Sequence, residues 1–120
     1  MKIMVTTAGT VPAQRKADYL INIAEKVGAE LLVLHVVSSQ DEYDDGQNAL
    51  KIYHRKGGIS KIRPILRVGR LTDTIAKTAQ EENVNLILLG LDERGDMNSA
   101  ISRDVIAKTE IPVLLVPNIK

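Results

Sequence analysis

Continuous apolar runs recur along the chain and predict the strands of a buried sheet. Residues 30–37 (ELLVLHVV) and 84–89 (VNLILL) are apolar almost throughout, as parallel strands covered on both faces require. Shorter runs at residues 2–7 and 113–116 fit the same pattern. These four segments predict four interior or near-interior strands of one parallel sheet.

A fifth strand is predicted over residues 61–68, where basic and aliphatic side chains alternate instead. Arg63 and Arg67 fall on one face of this strand, together with Lys61. Pro64 cannot donate a hydrogen bond to a ladder, so this strand is expected at an edge of the sheet with its basic face partly exposed. Cations at such an edge discourage aggregation. They also suggest nucleic acid, but aromatic stacking partners are lacking, and we expect no nucleic-acid partner.

Apolar positions three and four residues apart predict a helix between each pair of successive strands. The first helix starts near Pro12 and ends at Gly28, and the others cover about residues 47–55, 71–82 and 99–109. Strands alternating with helices predict a single α/β domain over residues 1–120, with a five-stranded parallel sheet and helices on both faces. The order 3-2-1-4-5 would place the proline-containing strand at an edge.

Composition and charge narrow the classes of function. Hydrophobic residues make up 44% and charged residues 26%, and the formal net charge is +1, so no strong field favours nucleic acid or a membrane surface. There is no cysteine, which excludes disulfides and thiol catalysis. No apolar run approaches the ~20 residues of a membrane span, and the first strand begins at residue 2. We therefore expect a cytoplasmic protein that does not contact membranes.

The carboxyl ends of the first and fourth strands are the expected position of any ligand. In the predicted order these ends are neighbours, so the turn at Gly9 faces the loop over residues 91–98. That loop leads into a helix amino terminus capped by Asn98 or Ser99, where unpaired N–H groups and the helix dipole attract anions. Thr6 and Thr7 end the first strand and could contact a ligand there.

Metal binding and catalysis have weaker support. The acidic stretch over residues 38–46 faintly resembles a calcium loop, but Tyr43 occupies a ligand position and Ile52 stands where a bidentate Glu belongs. His35 lies among aliphatic residues of a strand, and Ser99 and Ser102 are better explained as helix-capping residues than as nucleophiles. We expect neither a metal site nor an enzyme.

Four segments, in this order and spacing, resemble the universal stress protein family over nearly the whole chain. They are KIMVTTAGT, AEKVGAELLVLHVV, RVGRLTDTIAKTAQEENVNLILLG and SAISRDVIAKTEIPVLLVP. The resemblance implies a Rossmann-like sandwich of the adenine nucleotide alpha hydrolase type and a dimer formed through the last strand. One branch of the family binds ATP between the end of the first strand and the loop after the fourth.

The chain departs from the pattern of that ATP-binding branch. Ala8 stands where the family has Asp, and Glu93 replaces the second glycine of the loop that begins at Gly90. The final Gly-Ser pair falls on Ser99 and Ala100, and the loop is shorter than the pattern requires. Phosphate needs a close approach to the backbone that side chains block, so the ATP motif is expected to be degraded.

Three functional hypotheses follow from these observations. The leading one is a non-enzymatic stress-response protein without a cofactor, working through protein partners. The alternative is a regulatory switch that holds ATP or AMP in a variant cleft, and the third, an ATP-hydrolysing enzyme, needs a water-positioning group that the sequence does not show. The nucleotide cleft, if functional, would comprise Thr7, Ala8, Gly9, Thr10, Val37, Gly90, Arg94, Gly95, Ser99 and Ala100.

A homodimer is expected because the last strand is short, apolar and terminal. The resemblance implies that this strand pairs with its twin across a two-fold axis, and an uncovered apolar edge tends to be paired. The expected interface is Val113, Leu114, Leu115 and Val116.

Overall fold

The computed structural model describes residues 1–7, 14–56, 62–90 and 99–116, which form an alternating series of strands and helices. The elements are β1 (Lys2–Thr7), α1 (Gln14–Lys26), β2 (Glu30–Val37), α2 (Tyr43–Lys56), β3 (Ile62–Val68), α3 (Leu71–Glu81), β4 (Leu86–Gly90), α4 (Ser99–Lys108) and β5 (Val113–Val116), with a 3-10 helix at Gln40–Glu42 before α2.

The five strands form one parallel sheet in the order β3-β2-β1-β4-β5, which confirms the predicted fold class and topology. The chain moves from β1 outward to β3, and then returns through α3 to β4 on the other side of β1. This reversal sets the carboxyl ends of β1 and β4 side by side, with Thr7 opposite Gly90. In sheets of this kind ligands bind outside the carboxyl ends of the strands at such a reversal.

Two hydrophobic clusters lie on opposite faces of the sheet. Ile21 of α1 and Leu50 of α2 pack against one face, in a cluster that includes Val5 of β1. Ile75 of α3 and Val105 of α4 pack against the other face, in a cluster with alternate residues of the same strands. Because successive strand side chains point to opposite faces, a strand covered on both sides must be apolar throughout. This is the reason for the continuous apolar runs in the sequence.

Two predicted boundaries were wrong by a few residues. Helix α2 begins at Tyr43 instead of Gln47, and Asp44 and Asp45 lie in its first turn, where negative charge is favoured by the helix dipole. Strand β4 begins at Leu86 instead of residue 84. Asn85 bonds Lys2 through both its backbone N–H (2.9 Å, to the Lys2 carbonyl) and its side-chain oxygen (2.8 Å, from the Lys2 N–H), so the regular ladder starts one residue later.

The end of α1 confirms the terminating role predicted for Gly28. This glycine has a φ of +66°, the left-handed conformation that favours residues without a Cβ. Its N–H donates to the Glu25 carbonyl, and the Ala29 N–H donates to the Ala24 carbonyl. This pair of bonds is the Schellman arrangement, which satisfies carbonyls that a helix end would otherwise leave unpaired.

The edge position predicted for β3 is confirmed, and its basic side chains are paired. Arg63 forms an ion pair with Glu82, and Arg67 lies 4.0 Å from Glu81. Both pairs are substantially exposed, so each contributes only about 0–1 kcal/mol to stability. These carboxylates lie beside the two arginines of the edge and partly neutralise their charge.

No helix within the described ranges is long and apolar enough to cross a membrane.

Candidate ligand cleft at the carboxyl edge of the sheet

The residues predicted to form the cleft fall into two groups. Thr7, Val37 and Gly90 are the last residues of β1, β2 and β4, so the fold gathers three strand ends at one edge. Ser99 and Ala100 open helix α4. Ala8, Gly9, Thr10, Arg94 and Gly95 lie outside the described residues. Binding of a ligand by any of these residues stays a prediction.

A buried hydroxyl lies close to this edge. Thr6 is almost fully buried, and its Oγ1 has no hydrogen-bond partner among the described residues. It stands opposite Leu89 in the ladder, one residue before the strand ends. Thr6 therefore places a buried hydrogen-bonding group beside the point of strand reversal.

A cavity of ≈ 530 Å³ opens at the carboxyl ends of β2 and β3. Sites for small organic ligands typically have volumes of about 300–1,000 Å³. The cavity combines apolar walls with a few polar groups, and it is lined by Val36, Val37, Ser38, Glu42, Gly69, Arg70 and Leu71. Of these residues, sequence reasoning identified only Val37. The available signal was that Ser38 and Gly69 directly follow strand ends.

Glu42 is held in place at the rim of this cavity. Its Oε2 accepts hydrogen bonds from the Ser38 N–H (3.0 Å) and from the Ser38 Oγ (3.1 Å). Bonds to an ionised carboxylate are stronger than those between neutral groups. On the neighbouring strand end, the Gly69 N–H donates to the Val37 carbonyl (2.9 Å). These bonds fix the two loops that carry Glu42 and Arg70.

Arg70 supplies the opposite charge. Its carbonyl accepts from the Thr74 N–H (2.9 Å) at the start of α3, and its side chain is exposed. No carboxylate of the described residues lies within ion-pair distance of its guanidinium, and Glu42 and Arg70 are not paired with each other. The pKa of Asp73 in the first turn of α3 is lowered mainly by its bond with Lys108 and in smaller part by the Arg70 charge. The cavity therefore presents an anchored hydrogen-bond acceptor and a separate set of donors.

His35 is half-buried on β2, on the side covered by α2. Burial lowers the pKa of its imidazole, and the nearby Glu42 carboxylate raises that pKa in part. Because the unfolded chain binds the proton more readily, the contribution of His35 to stability is complete above the ordinary value of 6.5 and declines as the pH falls below it.

Replacing Glu42 by Gln should lower the pKa of His35 further, because the attraction between carboxylate and imidazolium is lost. An NMR titration of the His35 ring protons measures this shift. Asp41→Asn serves as the control, since it removes a neighbouring charge of the same 3-10 helix that does not affect His35. An unchanged or higher pKa of His35 in Glu42→Gln would show that the Glu42 carboxylate does not raise that pKa.

Within the part of the chain that the structure describes, no group of three or more His, Cys, Asp or Glu side chains could hold a metal ion.

Together, the fold and the cleft define an open, doubly wound α/β domain of the Rossmann-like class. The model of the universal stress protein family matches residues 41–117, and the chain belongs to this family. No curated protein sequence matches the chain.

Solved structures of universal stress proteins share this fold. One from Archaeoglobus fulgidus in complex with dAMP is 20% identical, with a TM-score of 0.71, covering 96% of this chain and 97% of that one. A universal stress protein in complex with cAMP is 20% identical, with a TM-score of 0.72, covering 99% and 98%. A family member from Arabidopsis thaliana with AMP bound is 18% identical, with a TM-score of 0.68, covering 97% and 90%.

Proposed function

We propose that this chain is a non-enzymatic stress-response domain that acts as a homodimer formed through β5 and works through protein partners. The main observation in its support is that β5 presents an exposed apolar edge. This strand is the outer strand on one side of the sheet, so one row of its backbone groups has no neighbouring strand among the described residues. Its Leu114 side chain is 54% exposed. Exposed apolar edges of this kind favour pairing with a second chain.

An apolar groove beside β5 supports the same proposal. On the face of the sheet that carries α1, side chains of that helix reach Leu88 of β4, and an apolar depression remains between the helix and Leu114 of β5. The resulting groove, ≈ 230 Å³ in volume, is lined by Met1, Ile3, Tyr19, Ile23, Val27, Leu86, Leu88, Leu114 and Leu115. A copy paired along β5 would lie next to this groove and remove apolar surface from water. Such an interface would be isologous, as in most homodimers.

The dimer is tested by replacing Leu114 with Lys and measuring the molar mass by light scattering during gel filtration. We expect a dimer for the unmodified protein and a monomer for Leu114→Lys, because the charge would be buried in the interface. Ile106→Lys on α4 is the matched control, since Ile106 is equally exposed at 56%, and it should remain a dimer. Val113 and Leu115 are unsuitable because they pack against the α3–α4 core. A dimer mass in Leu114→Lys would count against this interface.

The absence of tight ATP binding is proposed from the sequence. Ala8 and Glu93 replace the Asp and the glycine that the ATP-binding branch carries, and Asp92 adds negative charge to the same loop. Repulsion between like charges is strongest for a triphosphate. The sequence places no histidine near Ser99 or Ser102, which favours a role without chemistry.

A second candidate function is a switch that responds to a purine nucleoside monophosphate. It is favoured by the cavity beside Val37 at the carboxyl edge of the sheet. The structural relatives described above hold AMP, dAMP and cAMP. A monophosphate carries less charge than ATP, so the acidic loop would oppose it less, and its base could still enter the cavity.

Titration calorimetry with AMP and ATP tests this candidate. We expect measurable binding of AMP and weaker binding of ATP. Arg94→Ala should lose AMP binding if the Arg94 side chain neutralises the phosphate. Absence of heat for either nucleotide at millimolar concentration would remove the candidate and leave the homodimeric, partner-binding function. ATP binding tighter than AMP binding would contradict the degraded motif.

A further inference from the structure

We propose that the cavity lined by Ser38, Glu42 and Arg70 is a base-recognition pocket that prefers guanine to adenine. This inference rests on the second candidate function, a mononucleotide switch. The cavity at the ends of β2 and β3 has apolar walls at Val36, Val37 and Leu71. Apolar walls suit the flat faces of a purine ring, while a small number of polar groups fixes its orientation.

Glu42 determines which edge of a base can approach. An ionised carboxylate only accepts hydrogen bonds. Both Ser38 donors converge on Oε2. No described residue donates to Oε1, which can therefore accept from a ligand. Guanine presents two adjacent donors, N1–H and the 2-amino group, on one edge. Adenine places its 6-amino group next to the N1 lone pair, which a carboxylate repels. The acceptor at Oε1 therefore favours guanine.

Arg70 complements the remaining edge of the same base. Its guanidinium has five N–H donors and no acceptor, and it forms no ion pair with a described carboxylate. One arginine side chain can donate two hydrogen bonds at once to O6 and N7 of guanine, which is the commonest base-specific contact of this side chain. Adenine has a 6-amino group in place of O6, and this amino group and the Arg70 guanidinium are both donors, so they cannot bond each other. Glu42 and Arg70 thus select the same base by independent contacts.

Gly69 lines the cavity between the strand ends that carry the two charged residues. Its N–H is already bonded to the Val37 carbonyl, so the backbone between the two charged residues is fixed before a ligand arrives. A preorganised site loses less freedom on binding than a flexible one.

The test is titration calorimetry of the full chain with GMP, IMP and AMP. We expect GMP to bind about tenfold or more tightly than AMP. IMP lacks only the 2-amino group and should bind with intermediate affinity. Glu42→Gln keeps the size of the side chain but turns an amide N–H₂ toward the base, and it should abolish the preference for GMP. Asp41→Asn, which changes a charge outside the cavity lining, should leave the preference intact.

A second variant and a spectroscopic map locate the site independently of affinity. Arg70→Gln should weaken GMP binding, whereas Lys77→Gln on the exposed side of α3 should not. Shifts of the Ser38 and Gly69 amide signals on adding GMP place the base in the cavity. AMP binding as tight as GMP binding, or an unchanged preference in Glu42→Gln, would overturn the inference while leaving the mononucleotide switch intact. Failure of all three nucleotides to bind would overturn both.

Discussion

Replacing Ile75 by Ala is expected to lower the free energy of unfolding by about 2–5 kcal/mol, the range for large-to-small changes in a packed core. Ile75 is 0% exposed on α3 and belongs to the cluster between the sheet and helices α3 and α4. The truncation removes buried methyl and methylene groups and leaves a cavity, because the parallel strands beneath α3 cannot move to fill it. Chemical denaturation followed by circular dichroism measures the change.

Ile106→Ala is the matched control for this experiment. It makes the same chemical change on a neighbouring helix at a position that is 56% exposed. We expect a change within about 0.5 kcal/mol, with a small gain from the higher helix propensity of alanine. Equal losses for the two variants would contradict the position of α3 over the sheet.

Replacing Gly69 by Ala is expected to cost about 2–4 kcal/mol through backbone strain and steric overlap. Gly69 has a φ of +159°, where residues with a Cβ are rarely found, and an added Cβ would lie 2.6 Å from the Thr74 Oγ1. The same glycine links the ends of β2 and β3 through its bond to the Val37 carbonyl. The substitution should therefore disturb both stability and the rim of the cavity.

Two further variants separate the two causes. Thr74→Ala alone should be nearly neutral, and combined with Gly69→Ala it should recover the steric part of the loss, which a double-mutant cycle measures. Gly28→Ala gives the cost of a left-handed backbone without steric overlap, because Gly28 has a φ of +66° but no atom within 4 Å of an added Cβ, and it should cost about 1 kcal/mol. If Thr74→Ala does not reduce the stability lost in Gly69→Ala, the surrounding atoms relieve the steric overlap by a small movement.

The effect of Gly69→Ala on ligand binding connects the fold to the proposed function. If the cavity binds a base, this variant should weaken GMP binding even under conditions where it remains folded. Thr74→Ala should bind normally, since Thr74 does not line the cavity.

The sequence alone determined the strands, one edge of the sheet and the ends of several elements. Continuous apolar runs specify strands that are buried on both faces, because side chains alternate across a strand and each face must be covered. Pro64 identified an edge because it cannot donate to a ladder, and Gly28 identified a helix end because it adopts a left-handed conformation. These properties depend on a residue and its near neighbours, so they can be read from a one-dimensional pattern.

Only the tertiary structure decided which polar groups share a cavity and which apolar surface stays uncovered. Ser38 and Arg70 line the same cavity because the parallel register sets Val37 beside Val68, although the two loops are distant in the sequence. Leu114 is exposed because the strand order places β5 at the outer edge of the sheet, where no described residue covers its side chain fully. Contacts of this kind depend on the order and handedness of whole elements, and a local pattern of residues does not contain that information.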